Sequence, residues 1–327
     1  MERRQFIRLI GGAAAAWPVM ARAQQSPDGI PTVGVLWHAG SAEEEDVYLS
    51  VLLKAFHDLG YVEGKNIHLE QRFPAENPEL FRKLGQELVD AHPAVLVGIT
   101  AFGAVTLKRL TSSIPIVFVF APDPVDSLAR PGSNATGPSL MAVDLSGKRL
   151  DLLKQVVPGL SRVALLTDLK TDSVRERTIK AYQAAARALG ITLWPVDIAG
   201  PEDIEAVFAK IAQDHADGVV RGTSGGLFFS QRARIGASAI AHQLPAMTYI
   251  AEEVPAGYLL SYGQDLPDYV RRAVGYVDRI LKGANPADLP VEQPTRLKLV
   301  LNQKTANTLG LTFPQTLTIS ADEIIES

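Results

Sequence analysis

Two periods of hydrophobicity take turns along the chain from residue 32 onward. The run TVGVLW (32–37) is continuously apolar, as a strand buried on both faces must be. Leu49, Leu52, Leu53, Phe56 and Leu59 follow, spaced to lie on one face of a helix that stops at Gly60. NIHLEQRF (66–73) predicts a second strand, and residues 78–91 a second helix. AVLVGIT (94–100), a helix over 101–111 and IPIVFVF (114–120) continue the series. Strands alternating with helices of this length predict βαβ units and a parallel sheet.

The series then starts again. RVALLTD (162–168) matches TVGVLWH in character, ARALG (186–190) closes a helix as FHDLG (56–60) does, and QDHADGVVRGT (213–223) answers DAHPAVLVGIT (90–100). Val33 to Val163 and Gly60 to Gly190 are both separations of 130 residues, and His92 to His215 is 123. A shared order at a nearly constant offset predicts two similar lobes. The tail, with a strand at GYLLSYG (257–263), a helix over 266–283 and an extended stretch over 289–302, returns to complete both. The expected division is 30–145 plus 260–288 for the first lobe and 146–259 plus 289–327 for the second. Several crossings between lobes make a hinge, and ligand sites fall between lobes at the C-terminal ends of parallel strands.

Ahead of the first strand stands RRQFIRLIGGAAAAWPVMARAQQ (3–25). Arg3, Arg4 and Arg8 lead an apolar run from Leu9 to Met20, 12 residues that include Gly11, Gly12 and Pro18. A helix needs roughly 20 such residues to span a bilayer. Ala21-Arg22-Ala23 is a small-x-small cleavage site, so residues 1–23 are expected to be an export signal, with Gln24 the mature terminus. Paired arginines before Phe6 and Ile7 resemble a twin-arginine address read by export machinery. The expected location is the periplasm. Without residues 1–23 the chain keeps 28 basic and 35 acidic residues, a net charge near −7, and no block of Lys/Arg. Nucleic acid and anionic membranes are therefore not expected partners. No cysteine is present, which excludes a disulfide framework and a cysteine-linked lipid.

The most enzyme-like string is GTSGG (222–226), a G-x-S-x-G between a strand and a helix, as in a nucleophile elbow. A hydrolase would need an acid and then a histidine after Ser224. His242 is the only later histidine, and residues 225–241 contain no Asp or Glu, so catalysis is not expected; a periplasmic hydrolase using Ser224 remains the lesser alternative. The six histidines form no metal-binding spacing, no Walker or G-x-G-x-x-G loop is present, and Asn134-Ala135-Thr136 reads as a loop. No metal and no cofactor are expected. Residues that directly follow strands are better candidates, because binding residues concentrate on such loops. These are Trp37, His38, Gly40 and Ser41; Thr100 and Ala101; APDPVD (121–126) with Asp123; Thr167, Asp168 and Asp172; Thr223 and Ser224; and Tyr249, Glu252 and Glu253. Together they offer an aromatic face, hydroxyls and carboxylates, suited to a small polar molecule with an amino group and a ring.

The stretches AFHDLGYVEGKNIHLEQRF, IPIVFVFAPDPV, SLARPGSNATG, GKRLDLLKQVVPGLSRVALL and LFFSQRARIGASAIAHQLPAM, with the long C-terminal stretch from LLSYGQDLPDY to NTLGL, resemble ABC transporter substrate-binding proteins of the tryptophan/tyrosine-binding type. The resemblance covers essentially the whole mature chain. It implies a type I periplasmic binding fold of two Rossmann-like α/β lobes joined by three crossings. A small-molecule ligand, an amino acid or aromatic compound, is enclosed between them, and an ABC permease in the inner membrane is the partner. Carried over residue by residue, the binding surface takes in Trp37, His38, Ser41, Thr100, Ala101, Asp123, Asp168, Ser224, Glu252 and, at a return crossing, Tyr262. Two stretches depart from the family pattern: only Asp126 separates Val125 from SLARPG, and TDLK and GTSGG stand where relatives carry Asn-Pro or Asp-Pro turns. A ligand sensor serving a membrane receptor would use the same fold. A transcription regulator would need a DNA-reading segment where this chain has its export signal. N-terminal sequencing of protein recovered from the periplasm is expected to begin at Gln24; an intact N-terminus on cytoplasmic material would overturn the export reading.

Overall fold

A computed structural model describes residues 29–121, 128–169, 174–222, 226–293 and 296–326. The first lobe is built on β1 (Thr32–Leu36), β2 (His68–Arg72), β3 (Val95–Ile99), β4 (Ile116–Val119) and β5 (Ala135–Thr136). These run parallel in the order β2-β1-β3-β4-β5. Every residue of β1, β3 and β4 is buried, as their runs of mainly Val, Leu and Ile with no charged residue require, while HLEQR in edge strand β2 is half-buried throughout. Asn134-Ala135-Thr136, expected to be a loop, instead supplies β5, because Ala135 and Thr136 pair with Ile116 and Val117 on the open edge of β4.

Helix α1 (Asp46–Asp58) covers one face of this sheet, and α2 (Pro78–Asp90) and α3 (Thr100–Leu110) cover the other. Helix α2 starts where the sequence places every start signal. Pro78 occupies the first turn, and the Asn77 side chain accepts hydrogen bonds from the N–H groups of Glu79 and Leu80.

The second lobe contains α4 (Ser146–Val156), β6 (Arg162–Asp168), α5 (Arg175–Leu189), β7 (Thr192–Ile198), α6 (Ile204–Gln213), β8 (Gly218–Arg221), α7 (Leu227–Ser230), α8 (Arg232–Ala241) and β9 (Ala246–Thr248). β10 (Leu260–Gln264), α9 (Leu266–Leu281), β11 (Leu297–Asn302), α10 (Gln303–Thr308), α11 (Gln315–Ser320) and β12 (Glu323–Ile325) form the tail. The second sheet runs β12-β11-β10-β9-β8-β6-β7, parallel except where β10 meets β11.

One expected boundary is corrected here. Residues 260–264 were assigned to the first lobe, but β10 pairs with β9 and β11 in the second sheet. The chain changes lobe at Asp265, whose side chain caps α9 by accepting from the Asp268 N–H. Helix α9 then lays Leu266, Tyr269, Val270, Ala273, Val274 and Val277 against the first lobe, burying all six. That i, i+3, i+4, i+7 stripe decides the docking, since each large apolar side chain so buried contributes about 1.5–3 kcal/mol.

Among the described residues three places cross between the lobes: 137–145, the turn at Asp265, and the stretch 282–293 that follows α9. The first and third lie side by side, with Pro138 bridged to Glu292 and the Ser139 N–H donating to the Glu292 carbonyl at 2.8 Å. Among the described residues no helix is long and apolar enough to cross a membrane.

The strand β10 is held close beneath the turn after β9. A methyl group built on Gly263 would lie 2.0 Å from the Tyr249 carbonyl oxygen. Gly263→Ala is expected to destabilise the second lobe by about 1–3 kcal/mol through overpacking against backbone. A differential scan that finds the melting temperature unchanged would show that this contact yields freely.

Candidate functional site

In both sheets the central strand has its neighbours reached by crossovers on opposite sides, so the turns following β1, β3 and β4 and those following β6, β8 and β9 gather at the C-terminal strand ends. The lobes face each other there. Phe229, Tyr249 and Ile250 of the second lobe belong to the same buried cluster as Trp37, Tyr48 and Val119 of the first.

A small cavity of ≈ 30 Å³ lies at this junction, walled by the rings of Tyr48 and Phe120 from the first lobe and Phe229 and Tyr249 from the second. The Tyr48 ring lies 5.1 Å from both Phe120 and Phe229, centroid to centroid, so the aromatic wall runs continuously from one lobe to the other. Two wall residues of the first lobe, Thr100 (φ 66°) and Phe120 (φ 59°), sit in the left-handed region at strand ends. Such conformations cost about 1–3 kcal/mol each in non-glycine residues and cluster at binding sites.

The charged wall residues are His38 and Arg221. Both are almost wholly inaccessible, at 3% and 2% exposure, so each needs a counter-charge. His38 lies between two carboxylates, with Nδ1 2.8 Å from Glu76 and Nε2 3.3 Å from Glu45. Glu45 is itself fixed by accepting from the backbone N–H groups of His38 and Ala39. Burial works against a charged imidazole, but the attraction of Glu45 and Glu76, with the hydrogen bond to Glu76, outweighs it and the opposing Arg221, raising the His38 pKa to about 9.

Arg221 closes β8, with its Nε 3.1 Å from Glu253 and its guanidinium 5.1 Å and 4.8 Å from the ring centroids of Phe228 and Tyr249. Burial raises the Glu253 pKa to about 7 against the pull of Arg221 and of a short hydrogen bond from Thr248.

Two contacts join the lobes directly. The Tyr48 hydroxyl donates to Glu252 at 3.4 Å. The Glu76 carboxylate reaches across to the bare backbone of Gly226, where a Cβ would stand 2.1 Å from its Oε1. The last glycine of GTSGG is therefore a steric opening for a first-lobe side chain. A wider recess of ≈ 530 Å³ adjoins this contact, bordered by Glu76, Glu79, Asp168 and Glu202.

Of the residues expected at the site, His38 and Thr100 line the inner cavity, Glu252 stands behind Tyr48, and Asp168 borders the outer recess. Trp37 does not reach the cavity. Its ring is fully buried and stacked parallel to Phe73 at 6.3 Å, with Nε1 donating to Gln71, so core packing takes it up. Ala101 is buried within α3, and the Ser41 hydroxyl accepts from the Glu44 N–H. Tyr262 lies in β10 of the second sheet, where its carbonyl accepts from Arg149 Nε at 2.8 Å. Asp123 and Ser224 lie outside the described residues, as do Asp172 and Thr223.

Tyr48, Phe120, Arg221 and Phe229 were missed. Arg221 left one signal, a lone charge ending the apolar run GVV; the others read as ordinary core aromatics. Among the described residues no cluster of three or more His, Asp or Glu is arranged to hold a metal ion.

This arrangement, two α/β lobes closing an aromatic cavity between their strand ends, defines a solute-binding protein of the type I periplasmic binding fold. Residues 42–325 match the ABC transporter substrate binding protein family, and the chain belongs to that family. It is a family of binding proteins rather than of enzymes. No curated protein matches the chain in sequence.

Among solved structures, the chain is similar to an ABC domain from Streptococcus pneumoniae in complex with L-Trp. That similarity has 22% identity and a TM-score of 0.83, over 90% of this chain and 100% of that one. A conserved domain protein from Vibrio cholerae aligns at 25% identity and TM-score 0.82, over 90% and 99% of the two chains. An ABC transporter solute-binding protein from R. palustris in complex with benzoate aligns at 18% identity and TM-score 0.55, over 80% and 78%.

The raised pKa of His38 has a direction that can be measured. Above the unfolded value of 6.5, the folded state holds the proton more tightly, so the stabilisation is complete below about pH 6.5 and is lost as pH rises through about 9. Wild type is expected to be more stable than His38→Gln near pH 6.5 by up to about 3 kcal/mol, and the gap should narrow towards pH 10. A gap that stays constant across that range would mean that His38 is not charged in the folded protein.

Proposed function

We propose that the protein is an exported solute receptor for an ABC importer, working in the periplasm after removal of residues 1–23. It captures a small organic molecule with an aromatic or otherwise apolar body between its lobes. The observation that carries this reading is the single aromatic wall from Phe120 through Tyr48 of the first lobe to Phe229 of the second. A ligand lying against it touches both lobes at once. It therefore binds the closed arrangement more tightly than the open one, which is the differential affinity that closure requires. The side-by-side crossings at Pro138 and Glu292 support a hinge, because few backbone torsions there need change. The closed pair of lobes is the form that a permease in the inner membrane would read, and the export-signal pattern of residues 3–25 supports periplasmic delivery.

The test is a thermal-shift screen of residues 24–327 against amino acids, aromatic acids and other small metabolites. A ligand at 100-fold its Kd stabilises the folded state by about 2.7 kcal/mol, enough to move the melting temperature by several degrees. Phe120→Ala and Phe229→Ala, one from each lobe, are each expected to weaken the hit at least tenfold. A hit that survives both substitutions unchanged would place the binding site elsewhere.

A further inference from the structure

Resting on the solute-receptor reading, in which the lobes move about their crossings, we infer that Arg149 is the positioning residue of that movement. It fixes where the first two crossings bend, at Met141 and at Asp265, and ties both bends to the cavity-wall ring of Tyr249.

Arg149 lies in α4, the first element of the second lobe, and is fully inaccessible. A guanidinium carries five N–H donors in a rigid fork, and its charge strengthens each hydrogen bond it gives. Nη1 donates to the Ala142 carbonyl at 2.6 Å, within the first crossing. Nε donates to the Tyr262 carbonyl at 2.8 Å, three residues before the second crossing. Strand β9 ends at Thr248, opposite Ser261, so Tyr262 stands just beyond that neighbour. Nη1 also donates to the Tyr182 hydroxyl of α5 at 3.4 Å, which anchors the fork in the second lobe's own core.

The first lobe takes hold of the same crossings from the other side. The Leu140 N–H donates to the Ala121 carbonyl at 3.1 Å, and the Tyr269 hydroxyl of α9 donates to the Ser139 carbonyl at 3.3 Å. Met141 alone is left between the first-lobe grip on Leu140 and the Arg149 grip on Ala142. In the second crossing Gln264 still pairs with Leu297 in the second sheet, while Leu266 is already packed in the first lobe's core. The change of lobe therefore falls on Asp265. The third crossing stays with the first lobe as far as Glu292, through the Val291 N–H to the Leu128 carbonyl at 2.7 Å and the Ser139 N–H to the Glu292 carbonyl.

The same guanidinium lies 5.3 Å from the centroid of the Tyr249 ring, and the Tyr249 carbonyl abuts Gly263, two residues before Asp265. A rotation about Met141 and Asp265 therefore carries the Tyr249 wall as one body with α4 and β10. Bends confined to one residue in each crossing are what a hinge requires.

The chain has no cysteine, so spin labels go to chosen exposed sites without removal of any other. The experiment is double electron–electron resonance on the full mature chain with labels at Lys83→Cys in α2, Lys210→Cys in α6 and Asp144→Cys in the first crossing, taken two at a time. Lys83 reports the first lobe, Lys210 the second, and Asp144 lies on the second-lobe side of Met141. In the chain with native Arg149, the 144–210 distance distribution is expected to be narrower than the 144–83 distribution by about a factor of two. Arg149→Met should broaden the 144–210 distribution about twofold, because Ala142 is then released. Leu153→Ala, which removes a buried apolar side chain from the same helix but no hydrogen bond to either crossing, should leave it unchanged. If Arg149→Met does not fold, Arg149→Lys carries the same expectation, since an ammonium lacks the fork that holds both carbonyls. The comparison of the two pairs with native Arg149 needs neither variant.

Equal widths for the 144–210 and 144–83 pairs overturn the inference, because the bend would then not lie at Met141. A 144–210 width that replacing Arg149 leaves unchanged, or that Leu153→Ala broadens equally, also overturns it, because the arginine would then be core packing and no more. None of these results touches the solute-receptor reading, which the ligand screen tests separately.

Discussion

Arg221 is placed where a charge is most expensive, at the end of a fully buried strand and between the two lobes. The partners around it follow from that cost. Glu253 comes within ion-pair distance, Thr248 fixes the far oxygen of Glu253, and Phe228 and Tyr249 cover the guanidinium with their faces. Removing one member would leave another buried and uncompensated, so the group holds together as a unit. Since Tyr249 is also a cavity wall, this polar assembly sets the shape of the second-lobe half of the cleft. His38 with Glu45 and Glu76 does the corresponding work in the first lobe, and Arg221 is near enough to act against the charge on His38. The two halves therefore respond to each other electrostatically as well as through contact.

The geometry of closure is equally constrained. Glu76 belongs to the loop after β2, yet its carboxylate rests against Gly226 at the start of α7, and any side chain at that position would collide with it. Tyr48 reaches the other way to Glu252. These contacts, with the merging of Phe229, Tyr249 and Ile250 into the first lobe's apolar cluster, give the lobes a definite apposed arrangement. The GTSGG string, suggestive of a hydrolase on paper, has a simpler physical role at its two ends. A Cβ at Gly222 would meet the Leu166 carbonyl at 2.8 Å, and one at Gly226 would meet Glu76. Both glycines are needed for close approach.

Membership of the ABC transporter substrate binding protein family and similarity to structures holding L-Trp and benzoate agree with a cleft of this build. The ligands in those structures differ in charge, one bearing an ammonium group and the other only a carboxylate. In this chain the charged residues that line the inner cavity among the described residues are His38 and Arg221.

The sequence by itself determined the two periods, the repeated βαβ order, the two lobes and the family, because strand burial and helix amphipathicity leave their mark on neighbouring residues. It also pointed to the loops after the strands, where His38 and Thr100 border the inter-lobe cavity. What it did not contain is which of two adjacent residues turns inward. Trp37 and His38 are consecutive at the end of β1, and consecutive side chains at a strand end point to opposite faces, so the tryptophan enters the core and the histidine enters the cleft. The lobe to which β10 belongs is likewise a matter of pairing with β9 and β11, set by contacts far along the chain. The aromatic wall is more distant still from the sequence. Phe120 reaches it through a left-handed turn, and Phe229 meets Tyr48 only because the lobes are apposed. Local pattern decides what an element is; long-range pairing and the meeting of two lobes decide what a site is made of.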